Sequence, residues 1–408
     1  MKTVIILGDG MSDHPVKALD GKTPLMVAKK PHIDRIAREG RTGLFASIPK
    51  GLPNGSAVAN LSVLGYDPAV CFSGRGTLEA ASMGVDLAAD DVAMRCNLLC
   101  IAEDGTIKNH SAGHISTEES HQLIADLDGE LGGSAGDRPV KFHPGVSFRH
   151  LLVMTGGWAS AAFDCAPPHD HVGEHESKLM PKATDPSGES AVERLHELYH
   201  AARILLSNHP VNQARIARGQ DPANAMWVWS PGKRPTMQTF QELYGKSGAV
   251  ISAVDLVQGL GVYAGMEKII VPGATGLHDT NYEGKAQAAL EAIERHDMVY
   301  VHVEATDEAG HERNLELKIK CIEYLDDRIT RPILEGLEAR GIEATVSVLP
   351  DHPTPVETGA HASDPVPVAI WTPGVEADGV DRYDEEAVKG GSLGLLEGDR
   401  FFRMALGV

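Results

Sequence analysis

Four stretches of this sequence set carboxylates and imidazoles where short apolar runs end. Asp9 follows the run 3–7, and Asp307 and His311 follow the run 298–303. Asp351 and His352 follow the run 344–349 after one intervening residue, Pro350, and His361 precedes the run 366–371. Ligands of open α/β sheets collect at the carboxyl ends of the strands. A helix starting near Asp307 would put Asp307 and His311, at i and i+4, on one face. Carboxylates combined with neutral imidazoles suit Mn²⁺ or Zn²⁺ better than calcium. Three Asp and three His exceed what one catalytic zinc takes and match two divalent ions. Taken singly, an Asp after a strand is most often a helix N-cap and a lone His is most often structural. Four such sites at strand ends argue for chemistry.

A fifth element is Pro53-Asn54-Gly55-Ser56, ahead of an expected helix. Alone, Ser56 reads as an N-cap. Beside a metal cluster it becomes a candidate nucleophile, because a bound divalent cation eases loss of the hydroxyl proton and a helix N-terminus favours incoming phosphate.

The elements that must position these residues read as strands and helices in alternation. The runs 3–7, 298–303, 344–349 and 366–371 are continuously apolar or β-branched, as expected for strands covered on both faces. Pro367 places the last of them at a sheet edge. Helical patterns cover 286–295 and 315–340. The expected fold is an α/β, doubly wound, mainly parallel sheet. Residues 94–100 and 147–154 read as further strands and 121–131 as a helix, amid Gly- and His-rich stretches. They suggest a smaller α+β insertion at 89–175, with 1–88 and 176–408 forming the core; a long helix is expected over 189–207. Trp227 and Trp229 alternate on a strand and read as packing residues.

The chain has 408 residues, enough for two or three domains. Lys plus Arg number 37 against 57 Asp plus Glu, a formal charge of −20. Such a chain has no global field favouring nucleic acid or an anionic membrane, so any phosphate must be held by local cations or metal ions. Five cysteines without a CxxC pair argue against a disulfide framework or a Cys₄ zinc site and for a reducing cytoplasm. Cys96 and Cys100 read as small buried apolar residues. The first apolar run is too short for a signal peptide, and 248–266 reads as buried core rather than a membrane span. No G-x-x-x-x-G-K-[ST] occurs.

These motifs carry a family resemblance. Gly8-Asp9-Gly10-Met11-Ser12-Asp13, Asn54-Gly55-Ser56, Asp307-Glu308-Ala309-Gly310-His311, Asp351-His352-Pro353-Thr354-Pro355 and His361 stand in the order found in the alkaline phosphatase superfamily. More closely, the chain resembles the archaeal-type cofactor-independent phosphoglycerate mutases. That likeness extends through Gly74-Arg75-Gly76-Thr77-Leu78-Glu79, Ser111-Ala112-Gly113-His114-Ile115, Arg149-His150-Leu151-Leu152, Pro167-Pro168-His169-Asp170 and the 275–285 stretch ending in Lys285.

The resemblance implies an alkaline-phosphatase-like core with an inserted lid. It implies one metal held by Asp307, His311 and His361 and another by Asp9, Ser56, Asp351 and His352, with Mn²⁺ foremost and Mg²⁺, Zn²⁺ or Co²⁺ as other choices. Ser56 would take the phosphate of 3-phosphoglycerate, a small phosphorylated substrate, and return it to the 2-hydroxyl without 2,3-bisphosphoglycerate. Arg149, His114 and His169 would contact substrate from the lid, and Lys285 from the core. Many archaeal-type mutases carry Arg where His114 stands, and Glu312-Arg313-Asn314 replaces a common Gly-Asp pair. The 109–115 stretch resembles a bacterial branch proposed to be homoserine kinases. Phosphotransfer to homoserine, metal-dependent phosphatase activity and a silent metal-binding role therefore stand as alternatives.

Overall fold

In the computed structural model, which describes residues 1–133 and 138–408, the chain divides into two units. One comprises Met1–Phe72 with Thr236–Val408, the other Ser73–Pro235.

The first unit is built on an eight-stranded sheet. Its strands are β1 (Lys2–Gly8), β2 (Arg41–Phe45), β3 (Gly248–Ile251), β4 (Glu267–Ile269), β5 (Met298–Val303), β6 (Ala344–Leu349), β7 (Val366–Trp371) and β8 (Gly394–Leu396). Their spatial order is β4-β3-β5-β1-β6-β7-β2-β8. β7 runs antiparallel to both neighbours and every other pairing is parallel. The expected doubly wound, mainly parallel sheet is what forms.

The apolar runs are buried on both faces, as a parallel sheet requires. Val4, Ile6, Val299, Val301, Val346 and Val348 join one core, with Tyr282, Ala289 and Ile293 of the helix Tyr282–Arg295 and Ile333 and Leu337 of the helix Arg331–Ala339. Each such Val or Ile stabilises by roughly 1.5–3 kcal/mol. The other face is covered in part by the helix Arg400–Leu406, where Thr3 Oγ donates to the Ala405 carbonyl at 3.1 Å.

Pro367 does not mark an edge: β7 lies between β6 and β2. Only Ala369–Trp371 of β7 pairs with β6, so Pro367 lies beyond that ladder and its missing N–H breaks no bond of it.

The second unit contains a five-stranded sheet in which the strand Val92–Ile101 pairs antiparallel with Arg149–Met154 on one side and Ala225–Lys233 on the other. The helices Thr117–Leu131 and Glu189–Ser207 contribute Leu123, Ile124, Leu195 and Leu198 to its core. This unit is wider than the insertion expected at 89–175, for two reasons. The helix Arg75–Ser82 lies against the central strand, with Gly76 so close that a Cβ would come within 2.6 Å of Met94 Cα. The strand with Trp227 and Trp229 belongs to this sheet, pairing with Asn97 and Arg95. Sequence periodicity identifies strands but not their partners, so neither extension was legible.

The five cysteines are free thiols, with Cys96 and Cys100 buried. Among the described residues no helix is long and apolar enough to cross a membrane.

Candidate metal centre and nucleophile

Strand register brings the acidic residues together. Leu7 of β1 stands opposite Leu349 of β6, so Asp9 and Asp351, each two residues further on, emerge side by side. On the other flank of β1, Gly8 stands opposite Val303 of β5. β5 runs out into the helix Ala305–His311, which carries Asp307 and His311 on one face as the spacing requires.

The ligand atoms converge in two adjoining groups. In the first, His311 Nε2 lies 3.1 Å from Asp307 Oδ2, His361 Nε2 lies 3.5 Å from Asp307 Oδ1, and the two imidazole nitrogens are 2.9 Å apart. In the second, His352 Nε2 lies 3.6 Å from Asp9 Oδ1, 3.5 Å from Asp351 Oδ2 and 3.2 Å from Ser56 Oγ. The rings of His352 and His361 are 4.0 Å apart between centroids, so the groups are neighbours. Each of the seven residues singled out in the sequence for metal binding lies in one of them.

The electrostatics of the two groups are dominated by burial and by the crowding of their carboxylates. Burial, reinforced by the charges of Asp351, Glu304 and Asp307, pushes the Asp9 carboxyl well above its ordinary range. Asp9 Oδ1 is fully buried without a hydrogen-bond partner. Burial raises Asp307 too, but hydrogen bonds from His311 and His361 outweigh it and hold that carboxyl well below the usual range. His311 is pushed up to about 9, chiefly by its hydrogen bond to Asp307. Burial pushes Glu304 up to about 8, with Asp307 adding to the shift. Crowded carboxylates, an orphaned buried oxygen and facing imidazole nitrogens are what a divalent ion in each group would relieve. The donor set fits two such ions.

Ser56 is the first residue of the helix Ser56–Val63. Its Oγ faces the second group while the helix's first amides, which have no intrahelical acceptor, remain to meet an anion.

A ring of supporting residues holds the candidate ligands. Asn60 Nδ2 donates to Asp351 Oδ2 at 2.9 Å and to the Ser56 carbonyl at 2.9 Å, and Asn60 in turn accepts the Tyr300 hydroxyl. Asp351 Oδ1 accepts the Gly10 amide at 3.1 Å. Thr354 Oγ donates to Asp307 Oδ1. Gly10 has φ +59°, and a Cβ there would lie 2.6 Å from Thr354 Oγ and 2.8 Å from Asp307 Cα. Sequence reasoning missed these supports, together with His302 and Glu304. The available signals were a lone histidine within the apolar run 298–303 and an Asn one helical turn after Ser56.

The residues expected to meet substrate fall in both units. In the first, Lys285 is wholly buried, with Nζ donating to the His302 carbonyl at 2.9 Å, and burial lowers it to about 8. In the second, the Arg149 guanidinium lies 5.4 Å over the Phe148 ring and the His114 ring lies 6.4 Å from the same phenyl. His169 is connected to them through His110, whose ring is 6.3 Å from His169 and 5.9 Å from Phe148. Arg149, His114 and His169 thus share one surface region of the second unit.

Comparison with known proteins finds the family model of 2,3-bisphosphoglycerate-independent phosphoglycerate mutase matching residues 37–212. A protein of Methanosarcina acetivorans bearing that name is 51% identical over 100% of both chains. A Geobacter sulfurreducens protein named as a probable member is 48% identical, again over 100% of both. Among solved structures, the PH0037 protein of Pyrococcus horikoshii aligns with TM-score 0.82 at 28% identity, over 100% of this chain and 97% of that one. The cofactor-independent phosphoglycerate mutase of Thermoplasma acidophilum aligns with TM-score 0.70 at 30% identity, over 100% and 99%.

Proposed function

Because this chain belongs to the 2,3-bisphosphoglycerate-independent phosphoglycerate mutase family, we propose that it interconverts 3-phosphoglycerate and 2-phosphoglycerate through a phosphoserine at Ser56. The observation that carries this reading is Ser56 Oγ at a helix N-terminus, 3.2 Å from His352 Nε2 and beside two convergent carboxylate–imidazole groups.

Asp307, His311 and His361 would hold one divalent cation, and Asp9, Asp351, His352 and Ser56 the other. Mn²⁺ is the proposed ion in both. When bound, such ions supply Lewis acidity toward the phosphoryl oxygens and a lower pKa for the serine hydroxyl.

The chain's own contribution follows from its geometry. The Ser56 oxygen forms a bond to phosphorus as the bond to the substrate's 3-oxygen breaks. The helix amides behind Ser56 face the phosphoryl charge. Return of the phosphoryl group to the 2-oxygen completes the isomerisation, so no phosphoryl donor is consumed. A phosphoserine survives only where water is kept away. We assign that task, and the contacts of Arg149, His114 and His169 with carboxylate or phosphate, to the inserted unit acting as a lid. Arg149 offers a bidentate fork for either anion. Lys285 adds a buried positive charge on the core side. Five free thiols support a cytoplasmic setting.

The homoserine alternative is not favoured: relatives 46–51% identical over nearly the whole chain carry the mutase name. His114 is then a tolerated replacement for Arg.

An enolase-coupled assay on Mn²⁺-loaded protein, with 3-phosphoglycerate and no 2,3-bisphosphoglycerate, tests the proposal. Turnover of about 1–10³ s⁻¹ is expected. Absence of turnover with metal bound would exclude phosphoglycerate as substrate.

A further inference from the structure

Three adjacent strand ends deliver Ser252, His302 and Asp9 in a row. Ile251 of β3 stands opposite Val301 of β5, and His302 of β5 stands opposite Leu7 of β1. Ser252 Oγ lies 3.1 Å from His302 Nδ1, and His302 Nε2 lies 2.9 Å from Asp9 Oδ2. His302 and Asp9 are wholly buried, and Ser252 is 3% exposed. Ser252 Oγ accepts the Val254 amide at 3.0 Å, and its own proton is free to go to Nδ1. The single ring proton then sits on Nε2 and is donated to Asp9 Oδ2. Asp9 Oδ1 is left without a hydrogen-bond partner and is the oxygen that faces His352, 3.6 Å from Nε2.

We propose that His302 is a positioning residue for Asp9: its Nε2–H holds Oδ2, so that Oδ1 is presented to the cation shared with Asp351 and His352, and Ser252 sets the tautomer. The proposal rests on the two-cation reading above. It is the arrangement by which a histidine and a carboxylate beyond the ligands fix a ligand's orientation, here with the carboxylate as the ligand and the imidazole as its support. His302 also lies 3.6 Å from Glu304 Oε2, and Asp9, His302 and Glu304 could by themselves surround a cation. The Lys285 ammonium donates to the His302 backbone carbonyl at 2.9 Å and its charge acts on Glu304, so this cluster already has a cation in its neighbourhood. That favours a hydrogen bond at Nε2 over a metal bond.

Metal-stripped full-length protein titrated with Mn²⁺ in a calorimeter tests this. The wild type is expected to bind two ions. His302→Asn removes the donor facing Asp9 and should weaken one of the two sites by about 10–100-fold while leaving the other unchanged. His302→Gln carries an amide nitrogen near the Nε2 position and should keep both affinities. Thermal melting in chelator checks that both variants fold. Wild-type affinity in His302→Asn would overturn the proposal. Equal loss in both variants would make the role one of packing. Three ions in the wild type, one lost in both variants, would make His302 a ligand rather than a support. No binding at all by the wild type would instead overturn the two-cation reading itself.

Discussion

Asn60 Nδ2 lies 2.9 Å from Asp351 Oδ2 and equally 2.9 Å from the Ser56 carbonyl, so one buried amide ties the helix that begins at Ser56 to a carboxylate at the end of β6. The Tyr300 hydroxyl donates to the remaining amide oxygen, which fixes the amide's orientation. Asn60→Asp replaces this donor with a second carboxylate facing Asp351. Turnover should fall by about 10–100-fold while the circular dichroism spectrum is retained. Steady-state kinetics giving wild-type kcat would show that this link does not align Ser56.

Ser56→Ala removes the oxygen proposed to accept the phosphoryl group. Turnover should drop by at least about 10³-fold, with melting behaviour in chelator close to that of the wild type, because Ser56 is only half-buried and its side chain gives up a single contact, to His352. Mass spectrometry of quenched wild-type enzyme should detect phosphate on Ser56 and none in the variant. Substantial residual turnover would contradict the phosphoserine route.

Gly10 adopts φ +59° against Asp307 and Thr354. Ala at this position meets both an unfavourable backbone region and the Asp307 backbone, 2.8 Å from the new Cβ. Gly10→Ala should lose about 1–3 kcal/mol of stability and bind Mn²⁺ more weakly. Denaturant titration and calorimetry would read the two effects separately.

Removal of divalent ions should abolish turnover, and Mn²⁺ should restore it. Binding also stabilises by mass action: at 100 times its dissociation constant one ion adds about 2.7 kcal/mol. A melting temperature insensitive to Mn²⁺ between chelated and loaded protein would argue against tight binding at these groups.

His150, within the sheet of the second unit, is 1% exposed and pushed down to about 3, by burial first and by the nearby His121 second. Its Nδ1 accepts the Gly145 amide at 3.0 Å. The folded-state value lies below the unfolded value of about 6.5. The unfolded chain therefore binds the proton first as pH falls, and stability is lost progressively from about 6.5 toward 3. The contribution of this one group approaches about 1.4 kcal/mol per pH unit. His150→Asn keeps an acceptor for the Gly145 amide. Its stability, measured by denaturant unfolding between pH 6 and 5, should depend less steeply on pH than that of the wild type. Parallel slopes would mean that His150 is not the titrating group.

Asp9, Ser56, Asp307, His311, Asp351, His352 and His361 were legible from their order and from their positions after apolar runs. Residue type carries chemistry, and the end of a strand in a parallel sheet is where such chemistry gathers. The helix around Asp307 and His311 and the helix 189–207 were legible too, because periodicity is a local property. By itself, then, the sequence determined a mainly parallel α/β core and singled out the side chains that the fold gathers into two candidate metal-binding groups.

Tertiary structure decided everything that depends on which strand neighbours which. The order β3-β5-β1-β6 sets Ser252, His302, Asp9 and Asp351 in one line, though these residues are up to about 340 positions apart in the chain. Non-local pairing also placed Pro367 inside the sheet and Trp227 in the second unit. The supports Asn60, Tyr300, Thr354 and Gly10 owe their roles to what surrounds them, since an amide, a hydroxyl or a glycine looks the same in sequence whether it braces a ligand or faces solvent. Hydrogen bonds and close contacts act over a few ångströms of space, and only the folded chain brings those partners into range.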